Sequence, residues 1–208
     1  MLEGYEKLST GVIKQVNATP PTYDDLYIRD YNLSIGGVGD ELSYLRLGLL
    51  LGSLNQSITK LLDVGYGDGN FLSKARTVIK DCYGYDVAPV FPLPGGVDRV
   101  DKITGAYYDV VTFYNSLEHM PDIDFLKDIQ CKFLVITTPW CHYFSDDWFK
   151  NWKHRKPDEH IWHFNDETLT RHVLRNGYST LHYSNAEDCL RGEKLGYASY
   201  LTAVFRKG

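Results

Sequence analysis

The stretch Lys60–Phe71, K-L-L-D-V-G-Y-G-D-G-N-F, constrains this chain more than any other. Leu61, Leu62 and Val64 form a short apolar run suited to a strand covered on both faces. Gly65, Gly67 and Gly69 follow at alternate positions, and Phe71–Ile79 has the composition of a helix. Strand, glycine turn and helix make a backbone that receives a nucleotide-like ligand at a helix N-terminus. Glycine allows the tight turn and places no Cβ between backbone and ligand. A dinucleotide fingerprint asks for G-x-G-x-x-G, and Asn70 stands at its sixth position, so only the first two glycines fit.

The chain of 208 residues suffices for one α/β domain with a substantial core. Its net charge of −5 argues against a protein that coats nucleic acid, which usually carries a basic excess. Cys82, Cys131, Cys141 and Cys189 are far apart, with no C-x-x-C pair, which suits free thiols in a reducing compartment. Met1–Thr10 lacks an apolar signal-like core, and the leucine-rich Leu45–Leu54 is too short to span a bilayer. These features predict a cytoplasmic protein without a membrane segment.

Around the glycine turn the chain alternates strand and helix. Gly36-Gly37 and Gly39 mark a turn, and Asp40 is an N-cap for an amphipathic helix over Glu41–Leu54, with Leu42, Leu45, Leu49 and Leu50 near helical spacing. Arg46 has two readings there: a surface arginine whose stem lies on the apolar face, or one that reaches the ligand cleft. Cys82–Val87 is a second strand, and Asp86 at its end has the spacing of an acid that binds both ribose hydroxyls. Val97–Val100 is a short third strand, followed by Asp101, an acid placed to meet an adenine amino group. Tyr108–Tyr114 and Lys132–Thr138 read as buried strands, the first followed by N-S-L-E-H-M-P-D and the second ended by Pro139. Asp166 caps a helix to Asn176, and Tyr178–Ser184 and Ala198–Arg206 form a terminal hairpin. The pattern predicts an α/β, doubly wound, Rossmann-like sheet, mostly parallel with an antiparallel last strand.

Between the fifth strand and the following helix lies an insert, Pro139–Phe164. It holds all four tryptophans (Trp140, Trp148, Trp152, Trp162), along with His142, His154, His160 and His163, and Lys150, Lys153, Arg155 and Lys156. Ligands of such sheets sit beyond the carboxyl ends of strands, where this insert begins. Aromatic walls with cations suit a planar or sugar-like substrate bearing negative charge; a satellite hydrophobic cluster with a solvated basic edge explains the same composition.

The order L-L-D-V-G-Y-G-D-G, G-Y-D, Y-D-V-V-T-F-Y-N-S-L-E-H-M-P-D and F-L-V-I-T-T-P resembles the class I S-adenosylmethionine (SAM) dependent methyltransferases over about Lys60 to Lys207. That resemblance implies a seven-stranded sheet with SAM across the carboxyl ends of the first strands. It implies that Gly65, Gly67 and Gly69 approach the methionine end of SAM, that Asp63 orients its amino group and that Asp86 binds its ribose. Asp101 would meet adenine, Asn115 and Ser116 would lie beside the cofactor, and Arg46, on its second reading, would reach the methionine carboxylate. Residues 1–59 would be a helical and loop cap on a methyltransferase domain of residues 60–208.

Glu118-His119, taken with His160 in P-D-E-H-I-W-H-F, is similar to metal-dependent O-methyltransferases that carry E-x-x-E-H after the fourth strand and a further histidine downstream. Here Asn115 replaces the first acid, and L-E-H also occurs where the pair only braces the loop. Glu118, His119 and His160 are therefore candidate catalytic residues, as a divalent metal site or as a base. The expected function is methyl transfer to oxygen or nitrogen of a small, anionic or sugar-like acceptor. RNA or nucleotide methylation and a non-catalytic SAM-binding partner are the alternatives.

Overall fold

The computed structural model describes residues 2–22, 38–88, 91–192 and 196–208. In chain order these form β1 (Tyr5–Lys7), β2 (Ile13–Gln15), α1 (Gly39–Leu54), β3 (Lys60–Val64), α2 (Asn70–Ala75), β4 (Asp81–Tyr85), β5 (Val97–Arg99) and β6 (Tyr107–Tyr114). After these come β7 (Gln130–Pro139), α3 (Asp146–Asn151), β8 (Trp162–His163), α4 (Asp166–Leu174), β9 (Tyr178–Ser184), α5 (Glu187–Arg191) and β10 (Tyr200–Lys207). A short 3-10 turn, Leu117–His119, follows β6.

Seven strands make the main sheet in the order β5-β4-β3-β6-β7-β10-β9. The pairs from β5 through β7 are parallel, and β10 runs antiparallel to both β7 and β9. Alternate residues of the central strands feed two cores, because successive side chains of a strand leave opposite faces. Leu61, Val110, Phe133 and Val135 pack with Leu47, Leu50 and Leu54 of α1 and Phe71 and Leu72 of α2. Leu62, Val111, Leu134 and Ile136 pack with Leu117, Trp162, Phe164 and α4's Leu169 and Val173. Helices and turns thus cover both faces, as a parallel sheet requires.

Residues 5–15 contribute two short strands. β1 and β2 pair antiparallel and β2 pairs with β8, so the chain's beginning is stitched to the end of the insert. Three local expectations are corrected. The buried face of α1 runs through Leu42, Leu47, Leu50 and Leu54, whereas Leu45 and Leu49 are only half-buried. Asp40 lies in the first turn of α1 and pairs with Lys74 at 2.9 Å instead of capping the helix. Asn165, not Asp166, caps α4, exchanging reciprocal bonds with Thr168. The Gly36-Gly37 turn lies outside the described residues.

Candidate active site

Strand order reverses between β3 and β6, and the carboxyl ends of β3, β4 and β6 converge there. A cavity of 410 Å³ opens at this point. Its walls include Gly65, Tyr66, Gly67, Asp86, Tyr114, Asn115, Ser116 and His119, with Leu42, Ser43 and Arg46 of α1 across the mouth. Gly65, Gly67 and Gly69 all have positive φ, at 76°, 57° and 73°. A Cβ on Gly65 would fall 2.5 Å from the Ser116 Cβ, so this position is closed by the protein itself. A Cβ on Gly67 would meet no protein atom within 4 Å and would stand in the cavity. Gly67 thus leaves room for a ligand.

Asp63 lines the cavity from near the end of β3, almost wholly buried, and accepts from Thr112 Oγ1 at 2.6 Å. Burial pushes its carboxyl up to about 7, against the Thr112 bond and the nearby Arg46 charge. Asp86 directly follows β4 and ties the turn together, accepting from the Gly67 and Ala88 N–H groups, each at 2.9 Å. Each carboxylate oxygen can accept more than one bond, so these contacts leave Asp86 able to receive ribose hydroxyls as well. Asp101 is exposed and is not among the residues that line the cavity. Strand β5 ends at Arg99, and the chain turns outward before reaching it. Ser116 lines the cavity but spends its hydroxyl on the Val64 carbonyl at 2.6 Å, locking the ends of β3 and β6 together.

Arg46 takes the cleft-facing reading. Its guanidinium lies 4.6 Å from the centre of the Tyr114 ring and pairs with Glu187 of α5, 141 positions away. Glu187 also pairs with Arg191, which lines the cavity too. Neither Glu187 nor Arg191 is signalled by sequence. At a spacing of four they read as an ordinary surface pair on a helix, and nothing local points to Arg46.

Glu118, His119 and His160 do come together. Each offers a ligand atom, and these atoms lie within 4.8 Å of one another. The His119 and His160 ring centres are 4.7 Å apart. Backbone from the insert builds this meeting. Ile161 N–H donates to the Glu118 carbonyl at 2.8 Å, and Trp162 Nε1 donates to the Met120 carbonyl at 2.6 Å. His160 Nδ1 bonds the His154 carbonyl at 2.7 Å, and the His119 ring bonds the Glu159 carbonyl. A carbonyl partner makes each bonded ring nitrogen the N–H and leaves a lone pair on the other, as metal-ligating histidines are held. Glu118 is 1% exposed, and neither carboxylate oxygen meets a hydrogen-bonding partner from another described residue. Burial pushes its carboxyl up to about 8 and brings His160 down to about 4.

The tryptophans of the insert do not wall the cavity; none is among its lining residues. Trp152 joins Ile13, Cys141 and Phe149 in a separate buried cluster with Trp148 against it, and Trp162 belongs to the main core. The satellite-cluster reading therefore describes most of the insert. What it delivers to the site is His160 and the two bonds that brace the turn after β6.

This cavity, at the switch point of a seven-stranded sheet and edged by a glycine turn, defines a class I SAM-dependent methyltransferase. The chain matches the methyltransferase domain family over residues 40–183, and it belongs to that family. Among solved structures, it is similar to a SAM-dependent methyltransferase from Mesorhizobium loti, with a TM-score of 0.60 at 14% identity, covering 83% of this chain and 100% of that one. It is also similar to magnesium protoporphyrin IX methyltransferase from Synechocystis PCC 6803 with bound SAH, with a TM-score of 0.62 at 12% identity, over 88% and 95% of the two chains. The [4+2]-cyclase SpnF shares the fold as well, with a TM-score of 0.55 at 18% identity over 81% and 80%, so the fold alone does not name a reaction. No curated protein matches the chain by sequence. No described helix is long and apolar enough to cross a membrane.

Proposed function

We propose that this enzyme transfers the methyl group of SAM to a hydroxyl oxygen of a small acceptor, with Glu118, His119 and His160 dealing with the hydroxyl proton. One observation carries this reading: the three side chains meet within 4.8 Å, and His119 opens their cluster onto the cavity that receives the cofactor. SAM lies with its ribose toward Asp86 and its sulfonium near Asn115 and His119. The acceptor enters beside Met120 and Pro121, which follow His119 in sequence and line the same cavity.

Methyl transfer is an in-line displacement, in which the S–CH₃ bond breaks as the O–CH₃ bond forms. Alignment supplies much of the rate. A nitrogen acceptor with a free lone pair needs nothing more, whereas a hydroxyl must also lose a proton. The cluster suits that second task. Glu118, His119 and His160 would hold a divalent cation, which would lower the pKa of an acceptor hydroxyl. The geometry favours this form: a carbonyl partner leaves His160 a lone pair on its other ring nitrogen, and the buried Glu118 carboxylate has no hydrogen-bonding partner from another described residue.

Methyl transfer from labelled SAM to a panel of small hydroxylated acceptors, before and after chelation, tests the proposal. Turnover is expected to fall on chelation and to return with Mg²⁺, Mn²⁺ or Zn²⁺. Turnover indifferent to chelator would assign the proton to an imidazole, and transfer confined to nitrogen acceptors would contradict the reading.

A further inference from the structure

One wall of the cavity joins two helices far apart in sequence, α1 and α5. Arg46 of α1 donates to Glu187 from Nε and Nη2, at 2.7 and 3.2 Å. Arg191 of α5 donates to the same carboxylate from its own Nε and Nη2, at 3.0 and 2.8 Å. Each guanidinium also lies against an aromatic face, Arg46 at 4.6 Å from the Tyr114 ring centre and Arg191 at 4.1 Å from that of Tyr200. With its amide oxygen turned toward them, Asn115 accepts from Arg191 Nη2 at 2.7 Å and from Arg46 Nη2 at 3.2 Å. Asn115 holds this place in a left-handed conformation, φ 54°, directly after β6. Glu187 is fully buried, and the side chains of Arg46 and Arg191 are only 12% and 10% exposed.

This arrangement fixes both forks before any ligand arrives. A guanidinium is planar, and each presents its Nε edge to Glu187, so the corner bearing Nη1 is turned away from that carboxylate. Both arginines line the cavity, and so does Asp63. The cavity lining thus combines two guanidiniums with the carboxylate of Asp63. An α-amino acid group, ammonium beside carboxylate, has the matching pattern of charge, and the cofactor carries one at its methionine end. Low exposure strengthens such contacts, and fixed side chains lose little freedom on binding.

We infer that Arg191 is a carboxylate-binding residue of the cofactor site, forming with Arg46 a two-arginine clamp that Glu187 presets. The inference rests on the cofactor's placement with its methionine end beside Asp63. It gives α5, which follows β9 far from the glycine turn, a part in cofactor selection.

Calorimetric titration of the wild type, Arg191→Met and Arg191→Lys with SAM and with decarboxylated SAM tests it. In Arg191→Met, Glu187 keeps Arg46 as its partner, so no buried carboxylate is stranded. Thermal melts report whether each variant folds, and Arg191→Lys keeps the charge while losing the fork. Arg191→Met is expected to weaken SAM binding roughly 10- to 100-fold, the range for hydrogen bonds to charged groups, and Arg191→Lys to weaken it less. Decarboxylated SAM, which lacks the group in question, should bind all three proteins within about threefold, a difference worth under 1 kcal/mol. Equal losses for both compounds, or SAM binding unchanged in Arg191→Met, would overturn the clamp alone. A wild type that binds neither compound would overturn it together with the cofactor placement.

Discussion

Replacing Gly67 by alanine is expected to leave the fold standing and to disable the cofactor site. The new Cβ meets no protein atom within 4 Å, so its steric cost inside the protein is small. The remaining cost is that of a non-glycine residue at φ 57°, about 1–2 kcal/mol. The Cβ projects from a wall of the cavity, where the cofactor has to approach the backbone closely. A displacement of about 1 Å in a bound reactant costs on the order of 10²-fold in turnover, and that is the expected loss. Gly65→Ala provides the contrast, because there the Cβ lies 2.5 Å from the Ser116 Cβ and the strand ends themselves must separate. A melting temperature that falls by only a few degrees in Gly67→Ala, with cofactor binding largely lost, is the expected signature. Unchanged SAM affinity in that variant would place the cofactor elsewhere.

His160→Ala is expected to lower methyl transfer by about 10²- to 10⁴-fold, the range for removing a group that handles a proton in the transition state. The same range follows whether His160 ligates a cation or accepts the proton itself. SAM affinity should stay close to that of the wild type, because His160 does not line the cavity and reaches it only through His119. Its Nδ1 bond to the His154 carbonyl is lost, at about 1 kcal/mol of stability, which a melt would register. Steady-state kinetics with a responsive acceptor and an independent titration of SAM separate these effects. Normal turnover in His160→Ala would reduce the Glu118–His119–His160 cluster to a brace for the turn after β6.

What could be read in the sequence was local or strictly periodic. The run K-L-L-D-V and the three glycines define strand and turn within ten residues, and no distant partner is needed to recognise them. Glu118, His119 and His160 were also legible, since two adjacent parallel strands bring their following loops to one edge of the sheet. The partnership of Arg46 with Glu187 and Arg191 was not, because it spans 141 positions and α5 has no distinguishing pattern. The insert misled for a related reason. Composition marks Trp152 and Trp162 as a cluster, but β2, which pairs with both β1 and β8, draws the insert onto the N-terminal strands. Asp101 is exposed and is not among the residues that line the cavity. It follows a three-residue edge strand.

Both the glycine turn and the clamp presuppose one ligand, and calorimetry of the wild-type protein with SAM, SAH and NAD addresses it directly. SAM and SAH are each expected to bind at one site and NAD is not, since Asn70 stands where a dinucleotide turn needs its third glycine. Tight binding of NAD with no heat from SAM or SAH would contradict that expectation.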